Sequence, residues 1–318
     1  MTAAATIQQI AAGRFAADVA AGLAKTPRQL PSEYLYDAIG TALFETITLL
    51  PEYGLTRADE RVIARLASKL PASYRLVAEL GCGSGAKARL LLEALRPETY
   101  FPIDVSRSAL ASTQRELQGP WSVSPLEGGY LDGLARAAAS RRPGQRLLVL
   151  FLGSTVGNFH PGDRQDFLAS IRALLSPDDA LLIGFDLVKP TQVLLDAYDD
   201  PAGVTAAFNL NLLARANREL GANFNLRNFT HLARYDARRR RVEMHLKSKT
   251  RQRVRIPCAA FGCTLEASET IWTESSYKFQ PDQPARIARE AGFEWRRDWA
   301  DETWPFAESL WTVPATMR

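Results

Sequence analysis

The stretch Leu76-Val-Ala-Glu79-Leu-Gly81-Cys-Gly83-Ser-Gly85-Ala-Lys87 sets an apolar run against a burst of glycine. Leu76 to Ala78 reads as a strand that closes on an acid, Glu79. Glycines follow at 81, 83 and 85, and Ala86 to Leu95 has the composition of a helix. A strand, a glycine turn and a helix start, in that order, open a nucleotide-binding α/β unit. Glycine permits positive φ and lets a ligand approach the main chain with no Cβ in the way. The spacing is not the G-x-G-x-x-G of dinucleotide enzymes, because Gly85 arrives too early.

Outward from this turn the chain alternates strand and helix. Tyr100–Asp104 is a second strand ending in an acid, and Arg146–Leu152 is an almost unbroken apolar run, as a strand buried on both faces requires. Ala180–Asp186 is another, again closing on an acid, with helix-compatible stretches over 106–117 and 162–175 between them. The pattern predicts an α/β fold with a doubly wound, Rossmann-like sheet whose ligands lie at the carboxyl ends of the strands. Glu79, Asp104, Asn158 and Asp186 fall at or just beyond such ends.

The texture differs on either side of this block. Residues 33–50 carry Tyr34, Leu35, Ala38, Ile39, Leu43, Phe44 and Ile47 at helical spacing, until Pro51-Glu-Tyr-Gly54 breaks the pattern. Thr56 reads as the cap of a following helix, with Asp59 in its first turn. Residues 191–220 are helical, and 231–236, 241–249 and 251–256 alternate as antiparallel strands. These predict an inserted α+β subdomain. A helix from Pro284 to Ala291, a strand in Gly292–Asp298 and a last strand, Phe306–Thr312, return to the main sheet. The expected division is 54–188 plus 279–318 for the Rossmann-like domain, and 1–53 plus 189–278 for a substrate-binding domain.

At 318 residues and 46% hydrophobic, the chain can bury a full core. No apolar run reaches the roughly 20 residues of a membrane span. The alanine-rich N-terminus lacks both a secretory apolar core and the serine excess of a transit peptide, and reads as an amphipathic helix. Three cysteines, Cys82, Cys258 and Cys263, have neither zinc spacing nor a disulfide framework, which predicts a cytoplasmic protein. Cys82 suits a small filler of a tight turn better than a nucleophile. His160, His231 and His245 share no ligand spacing, so no metal is expected. A net charge of +4 permits an anionic partner without demanding one. Lys247, Lys249, Arg251, Arg253 and Arg255 alternate on a strand face without aromatic positions for stacking bases. They read as a solvated face, with no nucleic-acid partner.

An acid just before G-x-G-x-G is similar to the first motif of methyltransferases that use S-adenosyl-L-methionine (SAM). The glycine turn can hold the methionine part of such a cofactor, and Asp104 is placed to accept from ribose hydroxyls. Lys87 stands either to meet the cofactor carboxylate or as a solvated helix lysine. Tyr36 and Tyr53 flank the Pro51-Glu52 break, Gly153–Asn158 follows a buried strand, and Thr273–Phe279 closes the subdomain. Tyrosine, asparagine and a buried glutamate suit a polar, amino-acid-sized ligand. Singly, each is more often structural, and spacing alone does not select them.

Many ordered blocks select a family. Tyr34-Leu-Tyr-Asp-Ala-Ile-Gly, Leu50-Pro-Glu-Tyr, Glu79-Leu-Gly-Cys-Gly-Ser-Gly-Ala-Lys, Phe101-Pro-Ile-Asp-Val-Ser and Phe151-Leu-Gly-Ser-Thr-Val-Gly-Asn-Phe begin the set. Asp186-Leu-Val-Lys, Ala197-Tyr-Asp-Asp-Pro-Ala-Gly-Val-Thr, Phe208-Asn-Leu-Asn, Asn217-Arg-Glu-Leu and Thr273-Glu-Ser-Ser-Tyr-Lys-Phe complete it. Nearly end to end, the chain resembles the histidine Nα-methyltransferases of ergothioneine biosynthesis, which convert L-histidine to hercynine by three methyl transfers from SAM. The resemblance implies that Asn158 and Tyr198 bind the substrate's carboxylate and amino end and that Tyr36 lies beside the amine. It puts Tyr53 near the imidazole, Glu274 and Ser276 on the ring nitrogens, and Met244 in the wall of that pocket. For the cofactor it implies Gly81, Lys87 and Asp104, with Gly83 and Gly85 in the same turn. The expected partner is a small molecule, the expected state a monomer.

Two positions depart from the family pattern. Gly54 stands where a second tyrosine is expected, which predicts a looser loop over the substrate. In Glu127-Gly-Gly-Tyr130, Gly129 replaces an acid that would meet the adenine amino group, leaving Tyr130 to pack on the ring. Three rivals remain from the sequence: a methyltransferase for another amino acid or an indole amine, an RNA-binding or RNA-modifying protein, and a silent SAM binder.

Overall fold

The computed structural model describes residues 3–83 and 85–314, with side-chain surroundings from residue 13 onward. Contacts divide the chain into two compact units, Gly54–Lys189 with Tyr277–Arg318 and Met1–Tyr53 with Pro190–Ser276.

The first unit is built on one mixed sheet. Its spatial order is Glu294–Asp301, Phe306–Thr312, Ala180–Asp186, Arg146–Phe151, Tyr74–Leu80, Thr99–Asp104 and Ser122–Val123, with Leu126–Glu127 also beside Thr99–Asp104. All neighbours are parallel except Phe306–Thr312, which runs antiparallel to both strands it touches. Leu147 to Phe151 are fully buried, as are Ala180 to Ile183, so their unbroken apolar runs follow from layers on both faces. Helices Leu55–Leu66, Ala86–Leu95, Arg107–Glu116, Tyr130–Ala139, Pro161–Leu174 and Gln283–Glu290 complete the unit. The strand order reverses between Tyr74–Leu80 and Arg146–Phe151. That reversal leaves a crevice at their carboxyl ends, the usual ligand position in an open α/β sheet.

The second unit holds a four-stranded sheet in the order Arg28–Gln29, Thr270–Tyr277, Arg241–Ser248 and Phe229–Asp236, the last strand residue Tyr277 passing into the first unit. A separate hairpin joins Gln252–Ile256 to Phe261–Leu265. Lys247, Lys249, Arg251, Arg253 and Arg255 are exposed, whereas Arg241 is buried with its guanidinium 4.4 Å from the Trp272 ring centre.

Several elements differ from the sequence expectations. The helix expected over 33–50 is a 3₁₀ turn, Ser32–Leu35, followed by Ala38–Leu49. Asp37 caps the second piece by accepting from the Gly40 N–H at 2.7 Å. The helical stretch 191–220 splits into Thr191–Tyr198 and Val204–Leu220, because Asp200 accepts from the N–H groups of Val204 and Thr205 and starts a new helix. Thr56 caps nothing. The helix begins at Leu55 behind Gly54, and Asp59 turns inward to a lysine.

Lys189, Tyr277 and Lys278 were expected on the substrate side of the boundary but belong to the sheet unit. The buried Asp186 carboxylate takes both Lys189 and Lys278, and the main chains of Val188 and Phe279 pair beside it. Burial alone would raise the Asp186 pKa, but the two ammonium groups bring it below the ordinary carboxylate range. Two of the three chain crossings, at 189/190 and 276/277, are thus tied down on the sheet side by one acid.

Gly54 also differs from its reading. A Cβ there would lie 2.2 Å from the Trp304 ring, so the glycine is a packing requirement and no loosening device. Gly54→Tyr should destabilise the protein by about 2 kcal/mol or more, because the ring must leave its place. Chemical denaturation measures this, and an unchanged midpoint would show that the contact is dispensable.

Candidate active site

The glycine turn takes its shape from its backbone. Gly81, Gly83 and Gly85 have φ of +80°, +49° and +72°, a region that side chains strain to enter. The Gly81 N–H donates to the Ile103 carbonyl at 2.9 Å, which ties the turn to the neighbouring strand. A Cβ at Gly83 would meet nothing within 4 Å, whereas one at Gly81 would sit 3.2 Å from the Tyr130 hydroxyl. Tyr130, at the start of its helix, is wedged against Phe151 and Phe167 with ring centres 5.8 and 6.0 Å away. The expected cofactor residues Gly81, Gly83, Gly85 and Tyr130 are therefore gathered at one strand end.

Asp104, half-buried, closes the adjacent strand and accepts from the Ser106 N–H at 2.8 Å. Ser106, not Asp104, caps the next helix. Burial raises the Asp104 pKa against the hydrogen bonds it accepts from main-chain N–H groups. Cys82 is buried, and desolvation followed by the Glu79 charge pushes its thiol up to about 12, so it is a filler and no thiolate. Glu79 accepts from the Tyr100 hydroxyl, and its burial lifts the carboxyl to about 7.

Lys87 is no solvated helix lysine. Its ammonium donates to Asp59 Oδ2 at 2.8 Å, and the same oxygen accepts from the Gly153 N–H at 3.0 Å. Burial works against the Lys87 charge, but the Asp59 carboxylate beside it, by charge and by hydrogen bond, holds its pKa above the ordinary value. Gly153 and Ser154 both adopt positive φ in the turn after Arg146–Phe151. Asn158 ends the short helix Thr155–Asn158 that this turn launches. A Cβ at the intervening Gly157 would come 2.9 Å from the Tyr277 carbonyl, and Tyr277 is hydrogen-bonded to His160 Nδ1 at 3.0 Å.

The second unit carries the other expected residues. Glu274 and Ser276 are two apart on one strand and share a face. Both are buried, and the Tyr198 hydroxyl donates to Ser276 Oγ at 2.7 Å. Tyr198 is fixed at its other end too, where its carbonyl accepts from His231 Nε2 at 2.7 Å while His231 Nδ1 faces the Asn209 amide at 2.9 Å. This arrangement sets a neutral imidazole with its proton on Nε2, and burial lowers the His231 pKa further. Tyr53 meets Tyr198 edge to face at 6.2 Å, Phe44 meets Tyr53 at 6.2 Å, and Tyr36 packs on Phe44 and Phe208 at 5.5 and 5.4 Å. These edge-to-face rings form a wall beside the polar pair. Met244 is buried on the strand beside Glu274, its carbonyl accepting from Thr273 Oγ1 at 3.0 Å.

Sequence reasoning missed Asp59 as the acid that holds Lys87, the fully buried Glu308, and Trp304 as the ring that packs on Gly54. A glutamate in the apolar run Phe306–Thr312 was the available signal, because a strand buried on both faces has no ordinary use for one.

A doubly wound sheet with an acid-then-glycine turn at its reversal point defines a nucleotide-cofactor enzyme class, and comparison narrows it. The family model described as "Histidine-specific methyltransferase, SAM-dependent" matches residues 15–313. Histidine N-alpha-methyltransferase of Mycobacterium tuberculosis is 40% identical over 92% of this chain and 93% of its own. The protein of the same name from Mycolicibacterium smegmatis is 38% identical over the same shares. Ergothioneine biosynthesis protein 1 of Neurospora crassa is 31% identical over 86% of this chain, which corresponds to 32% of that longer protein. The chain belongs to the SAM-dependent, histidine-specific methyltransferase family.

Gly129 has extended backbone, φ −67° and ψ 159°, and a Cβ there would meet only Asp132 Oδ2, at 3.9 Å. An acid therefore fits. Gly129→Asp should tighten SAM binding about tenfold, the worth of one hydrogen bond to a charged group. Calorimetric titration with SAM reads this, and unchanged affinity would mean that position 129 does not face the adenine.

Proposed function

We propose that this enzyme transfers methyl groups from SAM to the α-amino group of L-histidine, three in succession, releasing hercynine. The observation that carries the reading is the arrangement of Glu274, Ser276 and Tyr198 beside the Tyr36–Phe44–Tyr53 wall, in a chain of a histidine-specific family. A carboxylate two residues from a hydroxyl on one strand face offers an acceptor to one ring N–H and a hydroxyl to the other ring nitrogen. A side chain without ring nitrogens returns no hydrogen bond to a glutamate that is 8% exposed, and such a loss is costly.

The cofactor residues suit their ligand. Three alternate positive-φ glycines, open space at Gly83 and the half-buried Asp104 support a cradle for the methionine part and the ribose. Gly81, Gly83, Gly85, Lys87, Asp104 and Tyr130 would hold SAM, which when bound supplies an electrophilic methyl group. Tyr36 is assigned beside the amine, with Asn158 and Tyr198 at the carboxylate and amino end, Tyr53 at the imidazole, and Met244 shaping the pocket. These residues need only hold a neutral amine in line, so orientation supplies most of the rate. Three unpaired cysteines support a reducing, cytoplasmic setting. Among the described residues no helix is long and apolar enough to cross a membrane.

Purified protein incubated with SAM and each of the twenty amino acids in turn should carry histidine through mass gains of one, two and three methyl groups. Mass spectrometry follows them. Unmodified histidine alongside methylation of another amino acid would overturn the assignment.

A further inference from the structure

Three buried acids gather around one half-buried ammonium, Lys87, beside the glycine turn. Asp59 and Glu308 have no exposure, and Glu79 has 2%. Glu79 has its donor in the Tyr100 hydroxyl, and Asp59 Oδ2 has two donors in Lys87 and Gly153. The remaining oxygens do not. Asp59 Oδ1 and both Glu308 oxygens face no donor among the described residues.

Their surroundings bring these oxygens close. A Cβ on Gly184 would lie 2.6 Å from Glu308 Oε1 and 3.2 Å from the Gly153 nitrogen that donates to Asp59. Glu308 and Asp59 are within hydrogen-bonding reach of each other. Two ionised carboxylates in such a place repel each other and leave three buried oxygens unsatisfied, the costliest arrangement open to them. One proton removes the repulsion and engages two of the three oxygens, because a neutral carboxylic acid donates to the neighbouring carboxylate and leaves only its own carbonyl oxygen, now uncharged, without a donor.

We propose that Glu308 is a positioning residue for the cofactor site, held as a neutral acid that donates its proton to Asp59 Oδ1. This locks the Asp59 carboxylate onto Lys87 and the Gly153 N–H. The inference deepens the methyltransferase reading and rests on it for the role of Lys87. Desolvation, with the Asp59 charge added, pushes the Glu308 carboxyl well above its ordinary pKa. An ammonium has three donors, and Asp59 Oδ2 uses one of them. Lys87 is 25% exposed at its side chain, so the others remain available to the carboxylate of SAM. An ionised Glu308 would instead compete for the ammonium and set a second negative charge near that carboxylate. The groups that face this pair are Lys87 on Ala86–Leu95, Glu79 on Tyr74–Leu80, and the main chain at Gly153 and Gly184.

Two variants and two readouts test the assignment on the full-length protein. Glu308→Gln keeps the shape and supplies an N–H donor to Asp59, whereas Glu308→Ala removes the donor. In infrared difference spectra at neutral pH, wild type minus Glu308→Gln should show the carbonyl stretch of a protonated carboxylic acid. By calorimetry the Gln variant should bind SAM within about threefold of wild type, and the Ala variant on the order of tenfold more weakly, the worth of one hydrogen bond to a charged group. An ionised-carboxylate signature in place of the acid band would overturn the proposal, as would equal weakening in both variants or full affinity in the Ala variant. Wild-type protein that shows the acid band but binds no SAM would refute the methyltransferase reading and, with it, the positioning role, while leaving the shared proton established.

Discussion

The Asp59 carboxylate takes the Lys87 ammonium and the Gly153 N–H at a point without solvent contact, where an unpaired charge would cost several kcal/mol. The three groups come from separate parts of the fold. Asp59 rides on the helix before the first strand, Lys87 on the helix after the glycine turn, and Gly153 on the turn beyond the central strand. An ion pair so placed cannot be broken on one side without stranding the other, so the two sides of the crevice are fixed together. The Gly81–Gly85 turn, whose main chain is free to adopt positive φ, is held at both ends by this pair and by the Gly81–Ile103 hydrogen bond.

The other unit uses a different kind of constraint. Its polar residues are positioned by neighbours whose protonation and tautomer follow from geometry: the Tyr198 carbonyl requires the Nε2 proton of His231, and Asn209 then meets the bare Nδ1. Aromatic edges supply the rest. Rings have few rotamers to lose, so Tyr36, Phe44, Tyr53 and Phe208 form a wall at small entropic expense. On the proposed reading, the sheet unit governs how the methyl donor is held, and the second unit governs which side chain is accepted.

Much of this was legible from residues alone. The central strands announced themselves because burial on both faces leaves continuous apolar runs: the parallel Ala180–Asp186 and the antiparallel Phe306–Thr312 have the bounds their patterns suggest. Thr270–Tyr277 did not, because Thr273, Glu274, Ser275 and Ser276 are polar residues in a buried strand and erase the alternation that marks one. Asp59 read as a helix-start acid because its spacing is that of one; only the fold brings Lys87 to it. Gly54 and Trp304 are 250 residues apart, and no local pattern reports a ring resting on a glycine. Residue roles in the second unit came from resemblance to a family, since single tyrosines and glutamates carry no such information by themselves.

The central claim is that donor and acceptor are held by separate sets of residues, with Glu274 belonging to the acceptor's set alone. Glu274→Ala tests this most directly, with SAM affinity read by calorimetry and kcat/KM for histidine read on the same preparation. The account predicts roughly a 10- to 100-fold fall in kcat/KM with SAM affinity unchanged, the loss of one hydrogen bond to a charged group. Equal losses in both would place Glu274 outside the acceptor site and contradict it.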